Sequence, residues 1–330
     1  AINVQLAVNI GIIGYRNHSK RIINLLEKRK DVTIDHIFHP TKSLGKYGTN
    51  NLSDLYDCDA VFITSPNYTH FEYISKFLKN SKSFIFCEKI PVTNGKDLEK
   101  LEKLSKINKK KIFFNFNHRF SKTNDIIKKQ ILSSQIGDIS NIHITVAHGL
   151  AFKKGYASTW RANKKNMHNL LETVSIHYVD FLNHNFGKMK EISYFPSNIS
   201  KLGKSYDTNH TVIKYQSGII ASITNSYASP YINEISMIGT NGFFTLRNNN
   251  MILYSPRDTF DSAGFFKSPQ IKRKNKFSMK NDYENSLKKS LDSFFSMIKL
   301  DKSTDLVHFQ NSLLTNKLIL NLSKKNHIVF

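Results

Sequence analysis

Short apolar runs alternate with amphipathic stretches through the first third of the chain. Residues 8–14 are almost wholly apolar and end in glycine, and Ile22, Ile23, Leu25 and Leu26 then recur at helical spacing. Val32–Phe38 and residues 60–64, 83–87 and 111–115 are further runs of the same kind. Between them, residues 68–80 place Phe71, Ile74, Phe77 and Leu78 on one helical face, and residues 95–107 do the same with Leu98, Leu101 and Leu104. Continuous apolar runs of strand length, joined by segments long enough for a helix, predict buried parallel strands with crossover helices. Polar residues stand where three of these strands run out: Ser65, Pro66, Asn67 and His70, then Glu88 and Lys89, then Asn117 and Arg119. In an open parallel sheet, ligands bind outside the carboxyl ends of the strands, so this rim is the expected active site.

The pattern changes after Asp138. Residues 121–134 read as a helix with Ser121 as its N-cap, and residues 139–148 alternate apolar and polar as a half-buried strand does. Residues 169–186 read as a helix bearing Leu170, Val174, His177, Tyr178, Phe181 and Leu182. Strand candidates then follow at 191–195, 208–215, 218–227, 231–238 and 242–246, with 251–254 as a short return. A run of strands without intervening helices predicts an α+β unit with a mixed or antiparallel sheet. The polar, basic stretch 255–278 reads as a mobile loop. Two helices close the chain, one with Tyr283, Leu287, Leu291, Phe294 and Ile298 on a single face, the other begun by Leu306, Phe309 and Leu313. The expected organisation is a doubly wound α/β domain over 1–120 and an α+β domain over 121–330, whose C-terminal helix packs back on the first.

A length of 330 residues supports this division, because single cores stop growing near ~250–300 residues. No apolar run reaches the roughly 18 residues of a membrane span, and no signal-peptide pattern precedes the first strand. Cys58 and Cys87 provide neither a disulfide framework nor metal-ligand spacing, so no metal and a reducing cytoplasm are expected. Lys and Arg number 48 against 25 Asp and Glu, a formal charge of +23. The basic runs are scattered, from Lys28-Arg29-Lys30 to Lys324-Lys325, and no nucleic-acid module accompanies them. An Asn-, Lys- and Ile-rich composition of the kind that A·T-biased codons produce accounts for most of the excess. The expectation is therefore no nucleic-acid and no membrane partner. The charge would serve an anionic small substrate or the phosphates of a dinucleotide.

The turn Gly14-Tyr15-Arg16-Asn17-His18-Ser19 stands where a G-x-G-x-x-G dinucleotide turn would. Gly14 fits the tight turn, Arg16 replaces the glycine that admits a pyrophosphate, and Ser19 replaces the one that packs helix against strand. Gly14, Tyr15, Arg16 and Asn17 are the candidate phosphate contacts at a helix N-terminus. A carboxylate at the end of the second strand would hold the adenosine ribose of NAD and repel a 2′-phosphate. Here that end reads Phe38-His39-Pro40-Thr41-Lys42, with His39 in place of the acid and Lys42 close by, which favours NADP over NAD.

Together, residues 59–67 with Thr69-His70, Cys87-Glu88-Lys89, Asn117-His118-Arg119-Phe120, Trp160-Arg161 and His177-Tyr178-Val179-Asp180 resemble the Gfo/Idh/MocA oxidoreductases. The resemblance implies a Rossmann domain, a substrate-binding and oligomerisation domain, bound NAD or NADP, and hydride exchange with a sugar-like carbinol or ketone. It also implies a homodimer or homotetramer. It makes Lys89 and His177 the catalytic pair, converging over the nicotinamide, and Glu172, Thr173, Asp180, Asn117, Arg119, Trp160 and Arg161 candidate substrate contacts. Ser65, Pro66, Asn67, His70, Glu88, Lys89, His39 and Lys42 would line the cofactor. Three departures stand out. The family's acid four residues before its histidine is Thr173 here, with Glu172 five away; at ~100° per helical residue, Glu172 falls off the histidine's face. Ile90 follows the motif lysine, and the middle glycine of the turn is missing. Alternatives on the same scaffold are reduction of a C=N or tetrapyrrole bond, and a non-catalytic dinucleotide sensor.

Overall fold

The computed structural model describes residues 6–258, 260–300 and 306–330. The chain divides into two compact units, one running to Asn117 and taking in Leu287–Leu320, the other formed by His118–Ser286 and Asn321–Phe330.

The first unit is built on a six-stranded parallel sheet. Its elements are β1 (Val8–Ile13), α1 (Asn17–Glu27), β2 (Val32–Phe38), β3 (Gly48–Thr49), β4 (Ala60–Ile63), α2 (His70–Asn80), β5 (Phe84–Glu88), α3 (Gly95–Glu102), α4 (Lys106–Lys109) and β6 (Ile112–Asn115). The strand order is β3-β2-β1-β4-β5-β6 and every pairing is parallel. β4 and β6 are buried along their whole length, as their unbroken apolar sequences require in a sheet covered on both faces. Phe294 lies with its ring centroid 5.4 Å from both Phe62 and Phe86 and 5.7 Å from Phe113, so the late helical segment covers the middle of the sheet. The predicted helix over 95–107 is two helices. Asn94 caps α3 and Ser105 caps α4 by accepting from the Asn108 amide, and that second cap restarts the chain where periodicity alone suggested continuity.

The second unit carries α5 (Lys122–Ser133), β7 (Ile139–Ala147), α6 (Ile176–Phe186), β8 (Met189–Ser197), β9 (Thr208–Tyr215), β10 (Ile220–Ser226), β11 (Ile232–Gly239), β12 (Gly242–Arg247), β13 (Asn250–Tyr254) and β14 (Ile271–Lys276). Two further helices, α7 (Met279–Lys299) and α8 (Leu306–Leu322), follow in sequence and lie mostly in the first unit, and a last strand, β15 (His327–Val329), returns to the second. Nine strands form one sheet in the order β14-β13-β12-β11-β7-β10-β9-β8-β15, antiparallel except for the β7–β10 pair. Ser121 caps α5 as expected, its hydroxyl accepting from the Asn124 amide at 3.0 Å.

Two expectations fail here. The stretch read as a mobile loop contains β14, an edge strand whose lysine-rich sequence carries no apolar alternation because neither of its faces is buried. The helix over 169–186 is also not uniformly α: Leu171–Ser175 is a π segment, closed by the Ile176 amide donating to the Leu171 carbonyl five residues back. Positions five apart, including Glu172 and His177, come nearer to alignment across such a segment than α-helical spacing allows.

Candidate active site

The order of the first sheet reverses between β1 and β4, and a ligand crevice opens at such a switch point. At the end of β1, Gly14 has φ +114°, and a Cβ there would stand 2.9 Å from the Thr64 carbonyl oxygen and 3.0 Å from Ser19 Oγ. Glycine is therefore fixed at this turn by both dihedral and space. Ser19, standing in for the third glycine, is buried and its hydroxyl shares a 2.7 Å hydrogen bond with Thr64 Oγ1, so a hydroxyl pair ties helix to strand. Arg16 is the N-cap of α1 and supplies no side-chain cap, and the first turn contains no acid. Tyr15, Arg16 and Asn17 are exposed around these amide groups, a donor set and charge balance that fit a dinucleotide phosphate.

Where β2 ends, His39 does more than replace an acid. Its Nδ1 accepts from the Thr41 and Lys42 amides at 3.1 and 2.9 Å, which closes the turn and leaves Nε2 as the ring's donor nitrogen. At the end of β4, Ser65 and Thr69 share a 2.7 Å hydroxyl contact, Thr69 Oγ1 donates to the Pro66 carbonyl, and Asn67 opens the turn into α2. His70 is a correction to the expected cofactor contacts. It is fully buried, its ring nitrogens 2.7 Å from the Ile90 carbonyl oxygen and 3.0 Å from that of Ser65, and it braces two loops from inside.

Glu88 and Lys89 end β5. Glu88 is 6% exposed, and its Oε1 lies 2.7 Å from Asn115 Nδ2 and 2.9 Å from His18 Nε2. Burial alone would push this carboxyl up; His18, Asn115 and Lys89 more than offset burial, and its pKa lies below the ordinary value. Lys89 itself is half-buried. The chain beyond it is fixed by Asn316 of α8, which accepts from the Val92 amide at 2.8 Å and donates to the Val92 carbonyl at 3.0 Å. Asn117, at the end of this unit, is 2% exposed.

In the second unit His177 is 9% exposed and lies flat against His118, with ring centroids 4.3 Å apart and planes 12° apart. Arg119 and Asp180, both expected as substrate contacts, meet each other. They hold one another through two 2.7 Å hydrogen bonds, Nε to Oδ2 and Nη2 to Oδ1, with side chains 5% and 4% exposed. Their geometry is that of a buried bidentate pair. Trp160 and Arg161 stack with the guanidinium carbon 4.7 Å from the indole centroid. Arg161 Nη1 donates to the Tyr227 hydroxyl at 3.0 Å, and Thr173 Oγ1 lies 2.9 Å from that hydroxyl. Glu172 is half-buried at the start of the π segment.

His18, His118, His148, Tyr227 and Asn316 escaped the sequence reading. His18 sits inside the glycine turn and His118 inside a matched motif, so each had a positional signal; the other three meet their partners only through the tertiary fold.

Among known proteins, residues 8–116 match the model described as the oxidoreductase family, NAD-binding Rossmann fold, and residues 126–245 match the GFO/IDH/MocA C-terminal domain. Inositol 2-dehydrogenase of Rhizobium meliloti (strain 1021) is 25% identical over 204 residues, 59% of each chain. Glucose-6-phosphate 3-dehydrogenase of Bacillus subtilis (strain 168) is 24% identical over 144 residues, 43% of this chain and 41% of that one. The similarity thus spans less than two thirds of either relative. Two solved structures, myo-inositol dehydrogenase from Corynebacterium glutamicum ATCC 13032 and myo-inositol 2-dehydrogenase from Lactobacillus plantarum, superpose with TM-scores of 0.73 and 0.76. Each is 16% identical, and each match covers 98% of this chain and 99% of the other, a likeness of fold.

Proposed function

The chain belongs to the Gfo/Idh/MocA family of oxidoreductases, and from that premise we propose that it is an NAD(P)-dependent dehydrogenase acting on the carbinol of a sugar-like substrate, or on the corresponding ketone. The observation that carries this reading is the rim of the parallel sheet. There an acid-free helix N-terminus follows Gly14 at the end of β1, and a half-buried lysine beside an ionised carboxylate ends β5. The names of the curated relatives, an inositol and a glucose-phosphate dehydrogenase, support a polyhydroxylated substrate.

When bound, the nicotinamide supplies or accepts the hydride. The Lys89 ammonium, beside the Glu88 carboxylate, stabilises negative charge developing on the substrate oxygen. His177 takes the hydroxyl proton or returns it, its ring plane fixed by the stacked His118. Arg16 and the first-turn amides of α1 hold phosphate, and Ser65, Pro66 and Asn67 line the path beside them. At the end of β2 the donor nitrogen of His39 and the Lys42 ammonium favour a 2′-phosphate, hence NADP over NAD. Binding of NADPH and NADH followed by their own fluorescence, with a panel of polyols and sugars screened through the reduced-nicotinamide absorbance, tests the proposal. Tight cofactor binding with turnover of at least one polyol is expected. Cofactor binding without turnover of any sugar, ketone or imine would replace the enzyme with a dinucleotide sensor.

A further inference from the structure

Arg161 is held in place without an acid to neutralise it. Its backbone carbonyl accepts from Asn169 Nδ2 and Ser205 Oγ, and its guanidinium lies on the ring of Trp160. Arg161 Nη1 donates to the Tyr227 hydroxyl, Thr173 Oγ1 donates to the Asn169 carbonyl at 2.6 Å, and the Tyr227 hydroxyl meets Thr173 Oγ1 at 2.9 Å and donates to Asn169 Oδ1 at 3.4 Å. Every acceptor in that chain is neutral. Among the described residues no carboxylate lies within ion-pair distance of Arg161. The nearby acid Asp207 is engaged elsewhere, accepting from the Ile199 amide, the Ser200 amide and hydroxyl, and Thr208 Oγ1. A guanidinium carries five N–H donors, and among the described residues only Nη1 has a protein acceptor. The Nε and Nη2 edge, the planar fork that grips an oxyanion with two parallel bonds, has none among those residues.

We infer that Arg161, laid on Trp160 and braced by Tyr227, anchors a phosphate or carboxylate group carried by the substrate. The inference deepens the dehydrogenase reading by giving its sugar-like substrate a charge, and it rests on that reading only for the remainder of the ligand. His148, stacked 5.2 Å from Tyr227, is held neutral by burial and by the Arg161 charge, so it adds no competing cation. Thr173, at 3.5 Å from Nη1, presents a neutral hydroxyl, so it leaves the guanidinium charge for a ligand.

Trp160 is the only tryptophan of the chain, so its emission reports on this site alone and needs neither cofactor nor turnover. Titrations at constant ionic strength with glucose, glucose 6-phosphate, gluconate and inorganic phosphate separate the possibilities. A saturable change with glucose 6-phosphate or gluconate, at least about tenfold tighter than with glucose, is expected, and the tighter of the two identifies phosphate or carboxylate as the group recognised. Arg161→Gln should abolish it, and Thr173→Asp, which places a carboxylate against the fork, should weaken it about tenfold or more. If Arg161→Gln fails to give a native circular dichroism spectrum, Arg161→Lys, which keeps the charge and loses the fork, should weaken binding by a similar factor. Equal affinity for glucose and its anionic relatives, or anion binding unchanged in the folded Arg161 variant, overturns the inference. Anion binding at Trp160 in a protein that transfers no hydride would leave it standing while the dehydrogenase reading falls.

Discussion

His18 Nε2 lies 2.9 Å from Glu88 Oε1, which places an imidazole of the turn after β1 against the carboxylate that precedes Lys89. Burial raises the Glu88 pKa and His18 gives the largest opposing contribution, leaving it below the ordinary 4.5. A carboxyl with a depressed folded pKa contributes stability that is complete above its unfolded value and lost as pH falls through the folded one. His18→Leu removes the main opposing charge and lets burial prevail, so the folded pKa rises. Acid unfolding followed by circular dichroism should then begin at higher pH in the variant than in the wild type. Coincident acid transitions would show that His18 does not set the charge of Glu88.

The Arg119–Asp180 pair makes a separate prediction about stability. Removing one partner of a buried ion pair leaves the other uncompensated, at a cost of about 3–5 kcal/mol. Asp180→Asn and Arg119→Met should each lose about that much in urea unfolding. The double variant Arg119→Met, Asp180→Leu should lose less than the sum, because no charge is stranded. Losses below about 1 kcal/mol for both single variants would mean that water reaches the pair.

The parallel sheet was legible in the sequence because strands such as β4 and β6 are buried along their whole length and so carry apolar runs, and Val32–Phe38, though mixed in character, has the bounds expected of it. The lysine-rich β14 was not, because an edge strand exposed on both sides has no pattern to read. The π segment at Leu171–Ser175 was equally hidden, since a change of helical pitch leaves no mark on residue type, and with it went the reasoning about Glu172. Asp180 and Arg119 were read as separate substrate contacts; 61 positions separate them, and nothing local shows that each is the other's partner. His70 illustrates the same limit: a polar residue at a strand end reads as a ligand contact until the two carbonyls that hold it come into view.

Cofactor choice should respond to the end of β2. With no acid there and Lys42 exposed, NADPH should bind more tightly than NADH. Lys42→Asp should reverse that order, because a carboxylate repels the 2′-phosphate and accepts from the ribose hydroxyls. Isothermal titration of both cofactors against both proteins checks it, and a wild type that prefers NADH contradicts it.

Lys89→Met keeps the bulk of the side chain and removes its charge. Loss of an electrostatic and proton-transfer partner predicts a fall in kcat of about 10²–10⁴-fold, with a much smaller change in cofactor affinity. His177→Asn should lower kcat by a comparable factor. Single-turnover kinetics at saturating cofactor separate this from weakened binding. Full turnover by Lys89→Met would remove the mechanism.

Isotope transfer tests the central claim without depending on any rate. The protein, incubated with oxidised nicotinamide cofactor and a polyol or sugar-phosphate panel deuterated at the carbinol carbons, should deliver deuterium to C4 of the reduced nicotinamide, detected by mass spectrometry and NMR. Bound cofactor that acquires no deuterium from any member of the panel, in a protein whose fold is intact, would contradict the account.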